Sequence, residues 1–211
     1  MGRRLTRSVR LITGLILALL ATGCGGGGSG GSSGAAPLAC GPYPSQADSP
    51  HVLPYDVGAA YTVSQGNCTN FSHKTGSGDQ YAYDFRMPIG TPIVASRAGR
   101  VSRITTRYED GTGVPGEENV VGITHDDGSV ALYFHITKDG ALVTLGQDVR
   151  FGDVIALSGN SGNSTEPHLH YIVVAPPGSP PPGNLPVTFS NTRPHSNGLV
   201  QGQSYLALPY D

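Results

Sequence analysis

His168-Leu169-His170 is the sharpest chemical feature of this 211-residue sequence. In a strand, alternate side chains share a face, so both imidazoles point one way and Leu169 points the other. Two imidazoles on one face form a metal-ligand pair, or one ligand beside a base. His135 ends a second apolar run, Val130–Ile136 (VALYFHI). Strand alternation places it on the face of Ala131 and Tyr133, with Leu132, Phe134 and Ile136 on the apolar face. Asp84 lies within YAYDF, flanked by aromatics. A carboxylate there is costly to bury unless it is paired or bound to a metal. His73 stands eleven positions upstream, and a turn through Gly76, Ser77 and Gly78 can fold it back beside Asp84. His51, His125 and His195 carry no such pattern. His125 precedes the Asp126-Asp127-Gly128 turn and is expected to be exposed. Glu166 precedes His168 in an ExHxH order, not the HExxH of a metal-binding helix, and reads as a loop residue within reach of a substrate.

The elements that must position these groups read as short strands. Gly (31 residues) and Pro (17) are abundant, and charged residues make up only 13% of the chain, which excludes a helix bundle or coiled coil. Strand-like runs between turn signals cover Gln80–Arg86, Pro92–Ser96, Gly99–Arg107, Asn119–His125, Ser129–Ile136, Asp153–Ser158, His168–Val174 and Pro186–Ser190. Asp126-Asp127-Gly128-Ser129 is a hairpin turn by composition. The expected architecture is antiparallel all-β, a sandwich or open barrel, with a groove across the sheet that carries the histidines. Residues 175–185 (APPGSPPPGNL) cannot continue a sheet and form an extended loop. The polar tail after residue 190 is expected to wrap over the surface.

The N-terminus reads as an export signal over residues 1–23, with an Arg-rich start and the short apolar run LITGLILALL. Small residues leading into Cys24 resemble the lipobox of bacterial lipoproteins, which implies lipidation at Cys24. Residues 24–40 form a Gly/Ser-rich tether, and residues 41–211 the folded domain. With Cys24 assigned to lipid, Cys40 and Cys68 remain as one pair, expected to form a disulfide in an oxidising compartment. On the chain-entropy model that bridge adds about 3–4 kcal/mol. Loss of the four arginines in the first ten residues leaves nine basic against fifteen acidic residues. Such an acidic chain has no electrostatic basis for binding nucleic acid.

The order of the motifs identifies a resemblance. His73, Asp84-Phe85, Pro88-Ile89-Gly90-Thr91-Pro92-Ile93-Val94-Ala95 and Gly99-Arg100-Val101 are similar to the opening block of LytM/lysostaphin-type zinc endopeptidases. Tyr133-Phe134-His135, Gly152–Ala156, Gly159–Ser164 and Pro167–Tyr171 follow in the family's order, so the resemblance spans about residues 70–174. It implies a duplicated-hybrid-motif-like β fold and Zn2+ as cofactor. It assigns His73, Asp84 and His170 as metal ligands, and His135 and His168 to acid–base work. The family's usual HxxxD spacing would put a ligand at Gln80, so His73 takes that role over a longer loop. The implied substrate is a peptide cross-link or cross-bridge of bacterial peptidoglycan. The implied setting is the cell envelope, as a monomer held to a membrane through its lipid. Some relatives have lost their site and serve as regulators or binding modules for other wall hydrolases, which is the alternative reading. A carrier-type β module, suggested by Gly152-Asp153-Val154-Ile155, lacks a lysine in the right hairpin.

Overall fold

The computed structural model describes residues 40–179 and 183–210. The expected signal segment, Cys24 and nearly all of the tether lie outside them, as do residues 180–182 of the Pro-rich loop. Among the described residues every regular element is a strand. They are β1 (Ala60–Gln65), β2 (Tyr83–Arg86), β3 (Pro92–Val94), β4 (Gly99–Thr105), β5 (Val120–Thr124), β6 (Val130–Phe134), β7 (Ile136–Ala141), β8 (Asp148–Val149), β9 (Val154–Ser158), β10 (His168–Val174) and β11 (Ser204–Leu206).

An eight-stranded sheet runs β11-β1-β2-β10-β6-β5-β4-β8, and a three-stranded sheet runs β3-β9-β7. All pairings are antiparallel. This is the expected all-β architecture. Alternation builds the core. Val63, Tyr83, Phe85, Ala131, Tyr133, Leu169 and Tyr171 of the large sheet pack with Ile93, Ile136 and Ile155 of the small one. The residues between them on β2, β6 and β10, namely Asp84, Phe134, His168 and His170, occupy the outer face of the large sheet. Aromatic rings lock the middle of the core. Tyr133 meets Tyr171 at 5.2 Å between centroids, and Phe189 packs on both Tyr83 and Tyr171.

Several sequence expectations are corrected. Gln80 opens no strand: its N–H donates to Ser77 O and its side-chain oxygen accepts from the Gly76 N–H, so turn chemistry holds it until β2 begins at Tyr83. Pro186–Ser190 forms no strand, although Val187 and Phe189 enter the core. The tail does not merely cover the surface. It supplies β11, which pairs with β1, and buries Leu199, Tyr205 and Ala207. His125 is not exposed; it is 96% buried, packed edge-on against His51, with its Nδ1 bonded to Ala98 O at 2.8 Å. His195 is also buried, and its Nε2 accepts the Phe189 N–H.

Candidate metal centre

β10 lies between β2 and β6, with His170 directly opposite Asp84 on one side and Phe134 on the other. Leu169 and Tyr171 are anchored in the core, which fixes the imidazoles of His168 and His170 on the outer face. The direct pairing brings His170 Nδ1 to 2.8 Å from Asp84 Oδ1. His73 arrives from the irregular segment between β1 and β2. Its Nε2 stands 3.3 Å from His170 Nδ1 and 3.4 Å from Asp84 Oδ1, and its ring is fully buried. A tetrahedral cation with bonds of about 2.0–2.1 Å has ligand–ligand edges of about 3.3 Å. The three edges of 2.8, 3.3 and 3.4 Å therefore suit a single small cation facing two imidazoles and one carboxylate. Two-His, one-carboxylate donor sets with an open side are those of catalytic zinc.

His135 reaches the same face by breaking its strand. Alternation alone would send it into the core with Ala131 and Tyr133. Instead its φ is +60°, it separates β6 from β7, and its ring lies 4.5 Å from that of His168. A non-glycine residue in this region costs roughly 1–3 kcal/mol, which the surroundings must offset. Here they do so with a 2.7 Å bond from His135 Nδ1 to Ser161 O. The face assignment read from VALYFHI is thereby corrected: Ala131 and Tyr133 point into the core, Phe134 lies on the outer face, and His135 joins Phe134 there only through its left-handed backbone.

The ring nitrogens are sorted by their partners. His135 Nδ1 donates to Ser161 O and His168 Nδ1 donates to Glu166 O, leaving each Nε2 with a lone pair. His168 Nε2 lies 3.7 Å from Asp84 Oδ1, so it faces the centre. His73 Nδ1 donates to Gly66 O, which leaves Nε2 for a metal. His170 turns Nδ1 to Asp84 and Nε2 towards Asp79. Burial draws His170 down, but the Asp79 and Asp84 carboxylates beside it outweigh it and push its pKa up to about 9. Burial raises the Asp84 carboxyl, yet the His170 and His73 imidazoles beside it hold it far below the usual carboxylate range. His135 goes the other way: burial first, and the neighbouring His168 second, lower it to about 4, so it is neutral near pH 7.

The centre lies in a groove of about 480 Å³ across the outer face. Gln65, Phe71 and Asp79 line one side, and Glu118, Asn163 and Thr165 the other. Phe71 is 81% exposed at the rim. Nothing in the sequence pattern pointed to it. Glu166 also lines the groove and pairs with Arg86 at 2.9 Å.

Residues 78–179 match the model of peptidase family M23. The match contains Asp84, His135, His168 and His170 but begins after His73. The peptidoglycan DD-endopeptidase ShyA of Vibrio cholerae is 41% identical over 109 residues, 51% of this chain and 23% of its own length. The glycyl-glycine endopeptidase ALE-1 of Staphylococcus capitis is 36% identical over 95 residues, 44% of this chain and 24% of its own. The solved catalytic domain of lysostaphin from Staphylococcus simulans is 28% identical, covering 59% of this chain and 84% of that one, with a TM-score of 0.41. The chain spans less than a quarter of the length of the first curated relatives it matches.

Proposed function

Because residues 78–179 form a peptidase family M23 domain, we propose that this protein is a zinc-dependent endopeptidase that hydrolyses peptide cross-links or cross-bridges of bacterial peptidoglycan. The observation that carries this reading is the convergence of His73, Asp84 and His170 within 3.4 Å, beside two further imidazoles, in an open groove. Relatives named as a peptidoglycan DD-endopeptidase and a glycyl-glycine endopeptidase support the substrate class.

His73 Nε2, Asp84 Oδ1 and His170 Nδ1 hold the metal. Bound Zn2+ supplies Lewis acidity, polarising the scissile carbonyl and making a water acidic enough to attack near neutral pH. His135, neutral and with a free Nε2, takes the proton of the attacking water. His168, held through Nδ1 by Glu166 O, directs its Nε2 lone pair to the same point, where it orients the attacking water, and the proton taken up by His135 passes on to the leaving amine. The groove runs across the strands and accepts an extended peptide.

Residues 1–23 act in this proposal as an export signal, Cys24 as the lipidated anchor, and residues 24–40 as a tether. The domain at 41–211 then works as a monomer on wall close to the membrane. The test is digestion of purified sacculi from several wall types by the full-length protein, with released peptides sequenced by mass spectrometry. New peptide termini that vanish with a zinc chelator support the proposal and name the bond. Intact sacculi, with zinc bound to the protein, would instead leave a wall-binding or regulatory module.

A further inference from the structure

Of the three groups assigned to the metal, two are fixed by the sheet. Asp84 and His170 face each other on paired strands. His73 has no strand. It belongs to a run of turns between Gly66 and Ala82, and it lies eleven residues from Asp84. A site of this kind is only as well formed as its least constrained ligand, because the ordering of a loose segment opposes binding.

What restrains that segment lies mostly at its base. The Cys68 N–H donates to Gln80 O at 2.8 Å. The Asn67 amide, with its nitrogen turned to the acceptors, donates to Tyr81 O and Ala82 O, and its oxygen accepts from the Tyr43 and Tyr83 hydroxyls. The Gln65 side-chain oxygen accepts the His73 N–H at 2.8 Å. One covalent tie completes the set, the disulfide between Cys40 and Cys68, five residues before His73. The segment that brings Cys40 touches both limbs. The Gly41 N–H donates to the Tyr81 hydroxyl at 3.2 Å, and the Tyr43 ring packs edge-on against Tyr81. Cys40 and Pro42 are nonetheless exposed, with Gly41 and Tyr43 only half-buried, so little apolar burial holds residues 40–43 in place. Cys68 itself has φ +55°, a left-handed conformation that a non-glycine residue keeps only when its surroundings impose it.

We propose that the Cys40–Cys68 disulfide is a positioning device for the metal centre: it holds the turn segment so that His73 meets Asp84 and His170. This rests on the ligand assignment under Proposed function. It explains how a ligand so far from its partner in sequence is kept within 3.4 Å of it without a strand to carry it. The bridge touches neither substrate nor metal, so it acts through His73 alone.

The test is a cycle of zinc affinities for the full-length protein, measured by competition with a chromophoric chelator. It compares wild type, Cys40→Ser/Cys68→Ser, His73→Ala and the triple variant, with circular dichroism to check folding. Removing the bridge is expected to weaken zinc by about 10–100-fold, the range for groups that orient a ligand. In the His73→Ala background, removing it is expected to change affinity by less than about twofold, since the group it positions is gone. Hydrogen exchange in residues 66–82 of the metal-free protein is expected to rise when the bridge is absent. Equal zinc affinity with and without the bridge, while His73→Ala binds weakly, overturns the proposal. So does an equal loss in both backgrounds, which marks a general loss of stability. His73→Ala binding zinc like wild type would instead overturn the ligand assignment itself. If the double variant does not fold, folded wild-type protein, reduced and capped with iodoacetamide, takes its place.

Discussion

The buried pair His51 and His125 makes the stability of this protein acid-sensitive, and His51→Asn isolates the effect. His51 is 5% exposed and its Nδ1 lies 3.2 Å from the Tyr171 hydroxyl. Burial, then the nearby His125 and Arg97, lower its pKa from 6.5 to about 3, with Asp127 acting weakly the other way. The folded state thus favours neutral His51, while the unfolded chain takes up a proton near pH 6.5. Stability from this group is fully present above pH 6.5 and is lost as pH falls from there towards 3. Between pH 7 and pH 5 the linkage amounts to about 2 kcal/mol, or roughly 4–8 °C in melting temperature for a chain of this size. An asparagine can keep a polar atom near Nδ1 for Tyr171 but does not titrate. Urea unfolding with a chelator present, at both pH values, gives the comparison. Wild type is expected to lose about 2 kcal/mol more than His51→Asn between the two pH values. Equal losses would refute the reasoning.

Three further outcomes follow from the geometry. His168→Ala is expected to slow wall hydrolysis by about 10²–10⁴-fold with zinc stoichiometry unchanged, read by metal analysis of the assayed sample; parallel loss of zinc would make His168 a ligand. Leu169→Ala, at a fully buried position between the two site imidazoles, is expected to cost about 2–5 kcal/mol in urea unfolding; a cost below about 1 kcal/mol would contradict its place in the core. Gly159→Ala puts a Cβ 2.4 Å from Thr137 N and 2.5 Å from Asp110 Oδ1. It is expected to lower the melting temperature markedly, and an unchanged melt would show that the β7–β9 contact relaxes freely.

How much was legible in the sequence depended on period. HLH and Asp84 could be read because β10 and β2 are regular strands paired without a bulge, so side-chain faces follow from position alone. The placement of His135 was not legible. A single left-handed residue reverses the alternation, and nothing in VALYFHI marks it. His73 could be named only as the nearest histidine, because turn segments have no period to read. The burial of His125 and His195 and the core role of the tail were hidden by polarity. Backbone groups hold a ring nitrogen of each, Ala98 O at His125 Nδ1 and the Phe189 N–H at His195 Nε2, while His125 Nε2 is buried without a hydrogen-bond partner.

The most direct test of the account is a zinc titration of the metal-free full-length protein, with peptide amino termini released from peptidoglycan measured at each step. The account expects release to rise in proportion to bound zinc and to level off at one zinc per chain, with His73→Ala failing to reach that plateau at the same free zinc. Release that is independent of zinc, or none from fully loaded protein, would contradict it.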